Sequence, residues 1–79
     1  MNYITKVYDM TQISTYYKDN THETAVVVKE NDNCFAIEYY NEIGTQIYKE
    51  RFEGKALGYV EDACENWVLG IKKIPWEPM

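Results

Sequence analysis

The sequence predicts an α+β domain in which an antiparallel meander of four or five strands carries one C-terminal helix on one face. From Asn2 to Phe52 the chain runs in short segments rich in β-branched and aromatic residues, separated by polar turn clusters. After Gly54 the apolar residues take up helical spacing. At 79 residues the chain can build one core and no more.

The strand segments are "NYITKVY", "QISTYYK", "TAVVVKE", "CFAIEYY" and "TQIYKERF", broken by "KDNTHE", "NDN" and "NEIG". A two-residue turn at Asn31 and Asp32 sets Val28 opposite Phe35, Val26 opposite Ile37 and Thr24 opposite Tyr39, all on one side. A four-residue turn over Asn41 to Gly44 sets Ile37 opposite Tyr48 and brings Phe52 to that same side. The other side then carries Ala25, Val27, Ala36, Glu38, Tyr40, Ile47, Lys49 and Arg51, with Lys29 beside Cys34. A slip of one residue would exchange the two faces.

Ala56, Val60, Ala63, Cys64, Trp67 and Ile71 form one helical stripe, and Glu61, Asp62, Glu65 and Asn66 fall on the opposite side. The helix is expected from about Lys55 to Leu69, without a good N-cap residue, and with Gly70 as its C′ residue. It packs on the face of Val26, Val28, Phe35 and Ile37. Residues 1–73 form the domain, and residues 74–79, "IPWEPM", are an extended tail, because two prolines exclude a helix or inner strand there.

The net charge is −5, from 13 acids against 8 bases, with the acids spread along the chain, which opposes a simple nucleic-acid binder. No segment is long and apolar enough to span a membrane and no basic start leads into an apolar run, so a cytoplasmic protein is expected. In that setting Cys34 and Cys64 are reduced thiols packed in or near the core.

Enzyme chemistry lacks its parts. A cysteine nucleophile needs a base, and the single histidine, His22, lies in the turn cluster "KDNTHE"; Cys64 sits on the buried stripe among carboxylates, which dulls a thiol. No C-x-x-C, H-x-x-x-H or calcium-loop spacing occurs, and Gly44, Gly54, Gly58 and Gly70 are isolated, so no catalytic residue, metal or cofactor is expected.

Binding surfaces are better represented. In a strand, neighbours point to opposite faces, so each of the doublets Tyr16-Tyr17 and Tyr39-Tyr40 places one ring away from the helix, and the register above selects Tyr16 and Tyr40. With Val27, Ala36 and Ile47 they would make an exposed aromatic patch, covered by the N-terminal segment, by Ile74 and Trp76 of the tail, by a second copy in a homodimer, or by a partner. Glu61, Asp62 and Glu65 supply an acidic outer helix face. The expected partner-binding residues are therefore Tyr16, Tyr40, Ile47, Glu61, Asp62 and Glu65. Two alternatives remain: the carboxylates could mimic nucleic acid in the basic groove of a nuclease or DNA-binding protein, or Lys29, Lys49 and Arg51 beside the tyrosines could hold single-stranded RNA.

The segment "VEDACENWVLGIK" is similar to endings found in short phage proteins, and the small acidic meander-plus-helix pattern resembles phage-encoded host-takeover and anti-CRISPR proteins. That resemblance implies a phage origin and a host protein, met in the host cytoplasm, as the target of an inhibitor or modulator. It defines no active-site residues.

Overall fold

Four strands and one helix make up the computed structural model, which describes residues 11–75. They are β1 (Thr11–Lys18), β2 (Glu23–Asn31), β3 (Cys34–Tyr40), β4 (Gln46–Glu53) and α1 (Leu57–Val68). The strands form one antiparallel sheet in chain order, β1-β2-β3-β4, with α1 packed across β1, β2 and β3. The expected strand "NYITKVY" and the tail beyond Pro75 lie outside the described residues.

Turn chemistry explains the register. The Asn31 side chain accepts a hydrogen bond from the Asn33 amide at 2.8 Å, so the β2–β3 turn is centred on Asp32 and Asn33, one residue later than expected. That shift alone would have kept the faces. A β-bulge between Lys29 and Asn31 adds one more residue to β2, and the pairing becomes Val27 with Ile37 and Val26 with Glu38. Ala25 and Val27 consequently face the helix, and Val26 and Val28 face away from it, the reverse of the sequence expectation. Lys29, paired with Phe35, moves to the helix side as well.

Between β3 and β4 the faces come out as expected. Asn41 Oδ1 accepts the Ile43 and Thr45 amides at 3.1 and 2.9 Å, the turn runs one residue longer so that Tyr40 pairs with Gln46, and a bulge at Ile47 adds a second residue, giving Tyr39 with Tyr48 and Phe35 with Phe52. A two-residue shift preserves the side on which every residue lies.

The helix starts without a side-chain cap on Ala56, as its sequence implies, and ends in a Schellman motif. Gly70, at φ 83°, donates to the Trp67 carbonyl at 3.1 Å, and Ile71 donates to the Asn66 carbonyl at 2.8 Å. Ending there, the helix drops Ile71 from the stripe and leaves it largely exposed. Val60, Cys64 and Trp67 are fully buried against Ala25, Val27, Ile37, Tyr39 and Phe52. The Trp67 ring meets Tyr39 edge-on at 5.2 Å, a contact open to it because Ala25 and Val27 take up little room beneath the helix. Ile74 joins the same core, so the packed domain extends one residue past the boundary expected at Lys73. It does so on the helix side of the sheet, not over the opposite face.

Candidate binding surface

The six residues expected to bind a partner do not share a surface. Tyr16 pairs with Ala25 and therefore lies on the helix side, half-buried against the core, which corrects its expected place on the open face. Tyr17, paired with Thr24, takes that place and is 51% exposed. Ile47 falls in the β3–β4 bulge, half-buried and packed against the core cluster, so it is not part of an exposed patch either. Of the remaining patch residues, Val27 is buried under the helix and Ala36, on the face away from the helix, is fully buried, as are Val28 and Cys34 on that face, so no exposed patch forms there. Only Tyr40 sits where expected, and it is half-buried with its hydroxyl donating to Glu38 Oε1 at 2.7 Å. That hydrogen bond, with burial, raises the Tyr40 hydroxyl above its ordinary pKa.

The tyrosine row that does form is Tyr17, Thr24 and Tyr40, side by side across β1, β2 and β3. His22, Ile43 and Gly44 close the end of this row into an open cleft of about 600 Å³. His22 occupies the left-handed region at φ 61°, which is uncommon for a residue with a side chain. Its amide donates to the Lys18 carbonyl at 2.8 Å to close the β1–β2 turn, and its Nδ1 lies 2.6 Å from the Tyr17 hydroxyl.

Around the β1 edge, on the helix side, a second groove of about 380 Å³ is lined by Thr15, Tyr16, Tyr17, Glu65, Val68 and Leu69. Leu69, at the helix C-cap, is 71% exposed. Glu61 stands one helical turn before Glu65 and accepts a hydrogen bond from Ser14 Oγ at 2.7 Å. Burial, then the carboxylates of Glu61 and Glu65 with the Cys64 thiol, push the Tyr16 hydroxyl upward. Asp62 is on the other flank of the helix, lining a separate groove with Tyr59, Phe52 and Lys72. Tyr16, Glu61 and Glu65 are thus brought together, while Tyr40, Ile47 and Asp62 are not.

Three basic groups are paired with carboxylates. Lys49 pairs with Glu30 and, at 3.7 Å, with Glu38; Arg51 Nε pairs with Glu30 at 2.9 Å; Lys72 pairs with Glu50 at 3.2 Å. Lys18 is buried, with its ammonium 4.5 Å from the centre of the Trp67 ring. Cys64 is fully buried, and burial followed by the charges of Glu61 and Glu50 pushes its thiol up to about 12, which leaves it protonated and unreactive at neutral pH. Among the described residues no group of three histidine, cysteine or acidic side chains could hold a metal ion, and no helix is long and apolar enough to cross a membrane.

Sequence reasoning missed Tyr17, Leu69, Ile43 and His22 as surface-forming residues. The tyrosine doublet did carry the signal that one ring would point away from the helix, and Gly70 marked where the helix would end and leave Leu69 outside its buried stripe. No protein-family model, curated protein or solved structure matches the chain.

Proposed function

We propose that this chain is a non-enzymatic binding protein that inhibits or modulates a larger protein by docking through the flank formed by β1 and the C-terminal half of α1. The observation that carries the reading is the meeting of Tyr17 and Leu69, both large and mostly exposed, in one groove with half-buried Tyr16 and the Glu65 carboxylate. Exposed aromatic and aliphatic anchors beside charge are the composition of a protein-docking surface. The likeness of "VEDACENWVLGIK" to phage proteins directs the proposal to a host protein in the cytoplasm.

Nucleic-acid mimicry has less support, because Asp62 lies on the opposite flank from Glu61 and Glu65 and Glu50 is paired with Lys72. RNA binding on the sheet has less still: Lys49 and Arg51 are neutralised by Glu30 and Glu38, and Lys29 is on the other face.

Affinity capture from host-cell lysate tests the reading. Changing Tyr17→Ser together with Leu69→Ser should abolish capture of the specific partner with the urea midpoint nearly unchanged, while Asp62→Lys on the far flank should leave capture intact. Capture that ignores the paired change and depends on Asp62 would sink it.

A further inference from the structure

β1 is an edge strand among the described residues, and from Thr11 to Tyr17 it contains no charged residue. An uncharged edge is a template for another strand. Its bulge between Gln12 and Ser14 confines regular pairing to the stretch from Ser14 onward, which is the stretch beside the groove of Thr15, Tyr16, Val68 and Leu69. The carboxylates along this flank also differ from the paired ones of the sheet and its far side. Glu30, Glu38 and Glu50 each meet a cation, whereas among the described residues Glu61 meets only the Ser14 hydroxyl and Glu65 meets no cation.

We propose that the β1 edge takes an extended, basic segment of the partner protein as an added strand. Main-chain hydrogen bonds to Ser14–Tyr17 would supply register. An apolar side chain on the helix side would enter the groove against Tyr16, Val68 and Leu69, and a Lys or Arg two positions away on the same face, toward Ser14, would reach Glu65 and Glu61. The inference rests on the docking flank proposed above and names what docks there. A second copy of this chain is a poor occupant, since two-fold pairing of β1 with its own copy would bring each Glu61 and Glu65 toward the same carboxylates of the other.

The test is an amide-resolved NMR titration of the full chain with the peptide acetyl-Thr-Lys-Thr-Leu-Thr-Lys-Thr-amide, which presents lysine, leucine and lysine on one face. Shifts should appear at Ser14 to Tyr17, Val68 and Leu69 and not in β4. Replacing both lysines of the peptide by glutamate should abolish them. Glu65→Lys, an exposed change that leaves the fold intact, should weaken binding by about threefold, and Glu61→Lys with Glu65→Lys by about tenfold, as two rim ion pairs allow. Equal binding of the glutamate peptide, shifts confined to β4, or no β1 shifts at millimolar peptide overturns the proposal. So does sedimentation showing that a second copy, or exchange protection showing that the chain itself, already occupies the β1 edge. If the peptide fails while Tyr17→Ser with Leu69→Ser still abolishes partner capture, strand addition falls and the docking flank stands.

Discussion

The two edges of the sheet are built on opposite plans. β4 carries Lys49, Glu50, Arg51 and Glu53 within eight residues and is bent by a bulge at Ile47, the usual defences of an edge against further pairing. Lys49, Arg51 and Glu50 are tied to Glu30, Glu38 and Lys72. β1 has no charge before Lys18, which is buried over Trp67, and is held to the helix by packing and the Ser14–Glu61 hydrogen bond. One edge is closed by ion pairs that weaken with acid. The other is held from beneath and, among the described residues, meets no further strand at its rim.

The widest separation between the edges is expected from Trp67→Ala. It removes the platform under Lys18 and Tyr39 and should cost about 3–5 kcal/mol in urea denaturation, a large share of the stability a domain this small has. Next comes Ser14→Ala, which leaves the part-buried Glu61 carboxylate without its donor and should cost about 1.5 kcal/mol by the same measurement.

On the β4 side, Glu30→Gln should cost no more than about 1 kcal/mol at neutral pH, because its ion pairs are partly solvated. Its signature is the pH dependence. The hydrogen bond from Lys49 holds the Glu30 carboxyl below its ordinary range, so its contribution is present above the unfolded carboxylate value of about 4.3 and is lost as pH falls through the lower folded value. Denaturation midpoints measured from pH 6 down to pH 2 should therefore fall less steeply in the variant. If the slopes are the same, the ion pairs at β4 add nothing to the distinction. The smallest effect on stability is expected for Thr15→Lys, within about 0.5 kcal/mol, yet a charge on the open edge should reduce strand addition in the peptide titration.

The strands "QISTYYK" and "TQIYKERF" could be read directly from their composition, but not which of them ends the sheet, because "NYITKVY" reads as a further strand ahead of them. The helix could be read just as directly, because a stripe with period 3.6 and a glycine at its end depend only on local spacing. The open face was less legible. Which side each strand shows depends on bulges, and the bulges at Glu30 and Ile47 arise from where asparagine side chains close the turns and how the ladder accommodates them. An odd shift at β2 carried Ala25 and Val27 under the helix and Val26 and Val28 away from it, while an even shift at β4 left Tyr48 and Phe52 where alternation put them. The candidate surface inherited this sensitivity: Tyr16 and Tyr17 differ by one position and therefore by a whole face. Glu61 and Glu65, four apart on a helix, were placed together by periodicity, whereas Asp62, expected on the same acidic face, stands about 100° round the helix from Glu61 and falls on the other flank.

The turn at His22 makes the protein self-reporting. The chain has a single histidine, held at φ 61° with its ring against the Tyr17 hydroxyl, and Tyr17 lines both the tyrosine cleft and the β1 groove. One imidazole resonance, resolved without isotopic labelling, would therefore register a ligand arriving from either side of the edge strand. Its line width would further separate a partner that exchanges quickly from one that stays.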